Sequence, residues 1–277
     1  PAEANQGIIF KRIDLKQNNL VRANYQNVTS AKLCTTLQNS QFVKVSTVEH
    51  LLAALYIVGI DNAVIEIDNE EVPIMDGSAK NFLDVLNNKN HKKFTIKRKY
   101  LKIMDKVELI DGERKISIEP NDSSFAVEFQ LNYKNKIIGK QKNQINFQKD
   151  DLKDVIESRT FCLFNDIEKI KKIGLAKGGS LENAIVVDEN KILNKDGLRN
   201  GNEFVNHKIL DLAGDFLLSE FTVLGKVKCY QGGHELTNLF LRKLFKQKSC
   251  FLVTNEVNNI FSKKITSFGA LKIAANA

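Results

Sequence analysis

The stretch Glu203–Asp215, reading EFVNHKILDLAGD, constrains this chain more than any other. Val205, Ile209, Leu212, Ala213 and Phe216 recur at helical spacing, which predicts a helix over Val205–Leu218 with one apolar face. His207, Asp211 and Asp215 stand at i, i+4 and i+8 and line the opposite face, one turn apart. An imidazole and a carboxylate on successive turns of a rigid helix can share one cation. Mixed nitrogen and oxygen donors suit Zn²⁺ or a neighbouring first-row metal. A hydrogen-bonded pair on a helix surface has the same spacing, so the pattern needs support from elsewhere in the chain.

The histidine inventory supplies that support. Four histidines occur in 277 residues, and His50, His207 and His234 stand in unusual company. His50 lies in Val48-Glu49-His50-Leu51-Leu52, and His234 follows Gly232-Gly233. A catalytic zinc site needs three protein ligands and an open position, flanked by a general base and a group that stabilises or protonates a tetrahedral intermediate. His50, His207 and Asp211 can supply the ligands, and Glu49 and His234 the flanking pair. The fourth histidine, His91, sits in a polar stretch with no partner pattern.

At these residues the chain resembles the zinc-dependent UDP-3-O-acyl-N-acetylglucosamine deacetylases, the LpxC family. The matching motifs are Ser46-Thr47-Val48-Glu49-His50-Leu51, Pro73-Ile74-Met75-Asp76-Gly77-Ser78 and Arg159-Thr160-Phe161. They continue with Gly178-Gly179-Ser180, Asn194-Lys195-Asp196-Gly197-Leu198-Arg199, the Val205–Leu218 segment and Gly233-His234. They run in order from Pro1 to about Leu271. The resemblance implies one Zn²⁺ per chain on His50, His207 and Asp211, with Fe²⁺ as the alternative metal. It makes Glu49 the base, His234 the acid held by Asp215, Lys208 an added positive charge, and Thr160 a hydrogen-bond donor near the metal. Phe161, Leu33, Cys34, Arg114 and Gly179 would contact the substrate, with Arg114 replacing the usual lysine at the diphosphate. The family has glycine where Cys162 stands. Roughly thirty residues, a few strands with their turns, would precede Pro1 in the family.

Composition removes several other classes. No apolar run approaches the length of a membrane span, and no signal-peptide pattern opens the chain. Cys34, Cys162, Cys229 and Cys250 form no C-x-x-C pair, which fits isolated thiols in a cytoplasmic protein rather than a disulfide framework or a zinc ribbon. The net charge is +8, yet only seven of the 41 basic residues are Arg and the lysines are scattered, unlike a nucleic-acid surface. The partner expected is a UDP-linked acylated amino sugar, with no nucleic acid and at most transient contact with the inner-membrane surface. The chain is expected to be a monomer.

Along the chain, Ser30–Leu37 reads as a strand and Ser46–Val58 as an amphipathic helix ending at Gly59. Ser46-Thr47-Val48-Glu49 is also a capping box, in which Glu49 would only return a hydrogen bond to the Ser46 backbone. Ile60–Asp68 alternates as a strand, and a short helix follows near Ala79–Leu86. Strands then run over Tyr100–Ile110, Lys115–Pro120, Phe125–Leu131 and Val223–Tyr230, before a last helix over Glu235–Phe245. Gly174–Arg199 is either a plain β-α-β excursion or, by resemblance, an insert lining a passage for the acyl chain. The class expected is α+β: two domains of similar topology, 1–95 and 96–277, each a sheet layered on helices, with the helices packed between the sheets and an insert near 173–199. Two other functions compete, a metal amidase for another acylated sugar and an inactive relative that binds through its basic surface. An inactive relative should have lost a ligand or the base, and here Glu49, His50, His207, Asp211 and His234 are all present.

Overall fold

Segments of period two become strands and segments of period 3.6 become helices. The computed structural model describes residues 1–88, 91–172 and 178–255, with only the backbone at Lys169. Residues 173–177 of the expected insert, and the resemblance beyond 255, lie outside the described residues. Strands β1 (Ile8–Arg12), β2 (Leu20–Arg22), β3 (Val28–Ser30), β4 (Thr36–Gln38) and β5 (Lys44–Val45) precede helix α1 (Glu49–Val58), and β6 (Ala63–Ile67) and α2 (Lys80–Asn87) follow it. Next come β7 (Tyr100–Ile103), β8 (Val107–Asp111), β9 (Arg114–Pro120), β10 (Phe125–Asn132), β11 (Lys140–Asn146), α3 (Lys153–Ile156), β12 (Phe161–Leu163) and α4 (Ile167–Lys172). The described chain finishes with β13 (Ile185–Val187), α5 (Glu203–Leu217), β14 (Thr222–Tyr230), α6 (His234–Lys246) and β15 (Phe251–Thr254). The fold is α+β.

The largest sheet is built around β14. Its second half, Gly225–Tyr230, pairs in parallel with β10 and antiparallel with β9, and its first half, Thr222–Leu224, pairs in parallel with β7. Strands β11, β8 and β15 complete this sheet. The strand order β2-β1-β6 makes a smaller sheet, with β1 and β6 parallel, and β3, β4 and β5 form an antiparallel trio. Helix α5 packs on β10, β11, α1 and α6. A chain of aromatic rings marks that contact: Tyr56 of α1 meets Phe125 of β10 at 5.4 Å, Phe125 meets Phe216 of α5 at 5.3 Å, and Phe216 meets Phe240 of α6 at 6.2 Å. Pairs of this kind contribute about 0.5–1.5 kcal/mol each beyond the area they bury.

Every residue of α5 except Lys208 is buried, so its polar side faces other protein groups. Two expectations change. Tyr100–Ile110 divides into β7 and β8 at Met104-Asp105-Lys106. Ser30–Leu37 divides into β3 and β4, because Leu33, between the two strands, adopts φ +82°. An L-residue in that region reverses the chain locally and cannot continue a strand. The segment between β3 and β4 therefore turns inward toward α1.

Candidate active site

Two helices meet where the sequence placed its candidate ligands. A Cβ on Gly214 of α5 would lie 2.1 Å from the Glu49 carbonyl oxygen and 3.0 Å from the Ala53 nitrogen of α1, so only glycine permits this approach. The contact brings Glu49 and His50, in the first turn of α1, against His207, Asp211 and Asp215 of α5. His234 is the first residue of α6 and closes the third side.

His207 Nε2 and His50 Nε2 lie 3.3 and 3.5 Å from Asp211 Oδ1, and the two imidazoles meet edge to face at 5.0 Å. Donor atoms of His50, His207 and Asp211 all fall within 4.8 Å of one another, and the three residues are buried. His50 Nδ1 and Asp211 Oδ1 have no hydrogen-bond partner in the protein. A buried polar atom without a partner is costly, and a cation shared with the two imidazoles removes that cost for Asp211 Oδ1. His207 Nδ1 faces the Ser158 carbonyl at 3.0 Å and donates to it in the neutral tautomer, which leaves Nε2 free to ligate. Burial, opposed by Asp211 and assisted by His50 and Lys208, pushes the His207 imidazole down to about 3, so it is neutral as a ligand must be. Burial raises the Asp211 carboxyl, but His207, Lys208, His234 and the neighbouring His50 ring outweigh it and hold the group well below the usual carboxylate range. The donor set fits a divalent first-row metal.

Beside this group, Glu49 Oε1 lies 3.7 Å from His234 Nε2, and His234 Nδ1 is hydrogen-bonded to Asp215 Oδ2 at 2.8 Å. Burial raises the Glu49 carboxyl. The nearby His234 and His50 lower it in part, Asp211 and Asp215 raise it further, and it ends above its ordinary value. Burial lowers His234, but Asp215, Glu49 and Asp211 lift it to about 10, so the imidazole is cationic at neutral pH. Glu49 does not close a capping box: α1 begins at Glu49 without a side-chain cap, the Ser46 N–H donates to Glu70, and Glu49 Oε2 accepts from the Thr35 N–H at 3.0 Å. Lys208 donates to Asp211 Oδ2 at 2.8 Å and lies 5.5 Å from the centre of the Phe161 ring.

Phe161 also packs on Phe204 and reaches the His207 ring at 6.4 Å. Thr160 is half-buried, with its N–H on the Gly77 carbonyl and its own carbonyl accepting from Ile185. Cys34 is half-buried near Glu49, and burial first, then that carboxylate, push its thiol up. Leu33 is exposed. Arg114 pairs with Asp111 and with Glu235, the neighbour of His234, so its expected diphosphate contact competes with two carboxylates. Gly179 is exposed. His91 is exposed beside the Leu86 carbonyl. All four cysteines are free.

Some of the machinery was not singled out from the sequence. Arg159 and Glu203 form a buried ion pair at 2.8 Å, and Glu203 also accepts from the Arg159 and Arg199 N–H groups. This network fixes the segment whose Ser158 carbonyl orients His207. Asp76 pairs with Arg199 at 2.8 Å, and a Cβ on Gly77 would lie 1.9 Å from the Asn183 carbonyl oxygen, so the Asp76-Gly77-Ser78 motif joins the two stretches around the site. Both residues of each pair lie inside motif segments, but 44 residues separate Arg159 from Glu203 and 123 separate Asp76 from Arg199, so spacing gives no sign of the contacts.

Known proteins match this chain along most of its length. The family model described as UDP-3-O-acyl N-acetylglycosamine deacetylase, LpxC, matches residues 1–246. The UDP-3-O-acyl-N-acetylglucosamine deacetylase of Idiomarina loihiensis is 41% identical over 254 residues, 91% of this chain and 83% of the relative. That of Geotalea uraniireducens is 40% identical over 252 residues, 91% of this chain and 81% of the relative. That of Tolumonas auensis is 35% identical over 278 residues, 99% of this chain and 91% of the relative. A family match of this extent, with relatives this similar and the motif residues gathered at one buried junction, places the chain in the UDP-3-O-acyl-N-acetylglycosamine deacetylase family, to which it belongs.

Proposed function

We propose that the chain hydrolyses the acetamide of a UDP-linked 3-O-acyl-N-acetylglucosamine, a committed step of lipid A biosynthesis, with one Zn²⁺ held by His50, His207 and Asp211. The observation that carries this reading is the buried cluster of His50, His207 and Asp211 donor atoms, all within 4.8 Å of one another, with Asp211 Oδ1 left without a hydrogen-bond partner. Zn²⁺ outranks Fe²⁺ for such donors in the Irving–Williams order. When bound, the metal supplies Lewis acidity toward the amide carbonyl and water. Glu49 takes the proton of the attacking water, whose oxygen bonds to the acetyl carbon. As the carbon–nitrogen bond breaks, His234 gives its proton to the departing amine, and acetate is released. Asp215 orients His234 through the 2.8 Å hydrogen bond, and Lys208 adds positive charge where the oxyanion develops. Thr160 donates a hydrogen bond beside the reacting carbonyl, and Phe161 offers its ring to the sugar. Leu33, Cys34 and Gly179 line the substrate path, and Arg114 meets the diphosphate. Two units, 1–95 and 96–277, divide the work: the first brings Glu49 and His50, and the second brings His207, Asp211 and His234.

The protein is read as a cytoplasmic monomer. Among its described residues no helix is long and apolar enough to cross a membrane.

Acetate release from the UDP-linked substrate tests the reaction. Activity is expected to vanish with a chelator and return with Zn²⁺; hydrolysis that persists in a metal-free protein would sink the reading. The pH profile tests the acid. Only protonated His234 can donate, so the rate falls as pH rises through its pKa of about 10, or lower in the holoenzyme because a dication repels the imidazolium. His234→Gln should keep a full equivalent of metal, lose rate by at least about a hundredfold, and lose the basic limb. If that variant loses its metal instead, His234 is a ligand and the assignment of roles is wrong.

A further inference from the structure

Thr35 has no part in the ligand, base and acid assignments, yet it touches both halves of that machinery. It is 2% exposed. Its backbone N–H donates to Glu49 Oε2 at 3.0 Å, and its hydroxyl donates to Asp215 Oδ1 at 2.7 Å. The other oxygen of each carboxylate faces His234: Asp215 Oδ2 lies 2.8 Å from Nδ1, and Glu49 Oε1 lies 3.7 Å from Nε2. Thr35, Glu49, His234 and Asp215 thus close a ring, and Thr35 is the member opposite the imidazole.

We infer that Thr35 is a positioning residue that holds the Glu49 and Asp215 carboxylates in the orientation that turns both toward His234. This rests on the reading of Glu49 as base and His234 as acid. The terminal torsion of a carboxylate side chain is broad and roughly two-fold, so burial alone does not fix its plane. A donor on one oxygen does fix it, and the second oxygen is then aimed. The 3.7 Å between Glu49 and His234 exceeds a hydrogen bond and leaves the base and the acid unjoined, each free to address a reacting group. Without the Thr35 hydroxyl, Asp215 can rotate and carry the imidazole with it. Threonine suits the position because its branched Cβ restricts χ1, which serine does less well, while valine has the shape without the donor.

Thr35 is itself held. The chain reaches it through Leu33 at φ +82°. Its carbonyl accepts from the Val48 N–H at 3.4 Å, and the next residue, Thr36, donates its hydroxyl to Ser46 at 3.1 Å. The segment is therefore tied to the chain immediately before α1, and the orientation it imposes is referred to the helix that carries Glu49 and His50.

The test compares Thr35→Val with Thr35→Ser in the metal-loaded full chain. Losing a hydrogen bond to a charged group corresponds to a fall in kcat of about ten- to a hundredfold for Thr35→Val. KM should stay within about twofold and the metal equivalent should be retained, because the hydroxyl touches neither substrate nor ligand. Thr35→Ser should recover most of kcat. In an Asp215→Asn background, Thr35→Val should cost little more, since both changes break the same link. In the metal-free protein, the downfield imidazole N–H resonance of His234 should persist in Thr35→Ser and shift or broaden in Thr35→Val. If valine leaves too little folded protein, Thr35→Ala makes the same comparison. Full kcat in Thr35→Val, no recovery in Thr35→Ser, or an additive loss in the Asp215→Asn background would each overturn the inference. Failure of the underlying reading has a different signature: Asp215→Asn and His234→Gln would then themselves keep full rate.

Discussion

His207→Ala is expected to bind no stoichiometric metal and to show no measurable deacetylation. In the proposed site His207 supplies one of three protein donors, and its side chain is buried at 1% exposure, where water cannot readily replace it. The loss also spreads beyond the ligand. The 3.0 Å contact from Nδ1 to the Ser158 carbonyl disappears as well. Metal content by elemental analysis, read beside acetate release, checks both parts. A His207→Ala protein that keeps a full equivalent of metal would place the metal elsewhere, whatever its activity.

Glu49→Ala is expected to keep its metal and lose rate by about 10²–10⁴, the range for removal of a general base. The carboxylate lies next to a ligand without being one in this assignment, so metal analysis separates its loss from that of His207. Glu49→Gln refines the test, because the amide oxygen can still accept from the Thr35 N–H while the group can no longer take a proton. The sign of the pH effect follows from the site. Glu49 must be ionised to act, and burial holds its carboxyl above the ordinary value, so the wild-type rate falls on the acid side at higher pH than an exposed glutamate would give. That contribution to the acid limb should vanish in Glu49→Gln. Full activity of Glu49→Ala on the UDP-sugar would mean that another group takes the proton.

The helix that carries the candidate ligands was legible because its information is local. Five apolar positions at helical spacing set the segment, and His207, Asp211 and Asp215 follow on one face at the same period. The role of Glu49 was less legible, since Ser46-Thr47-Val48-Glu49 satisfies the capping-box pattern equally well. The structure sets the capping box aside, because the Thr35 N–H takes a Glu49 carboxylate oxygen, and the chain reaches Thr35 through Leu33, which leaves the strand expected over Ser30–Leu37. The burial of α5 was likewise invisible, because a polar residue on a helix reads as solvent-facing until another helix covers it.

By itself the sequence determined which side chains this protein has for metal chemistry and which of them share a helix face, because residue type and the 3.6-residue period are properties of one segment. Tertiary structure alone decided that Glu49 and His50 stand against His207, Asp211 and Asp215. That meeting depends on Gly214 admitting the Glu49 carbonyl, on the Arg159–Glu203 pair holding Ser158, and on Thr35 turning two carboxylates toward His234. Each of these is a contact between segments far apart in the chain, set by steric fit and by the satisfaction of buried polar groups, and no periodicity within either segment records it.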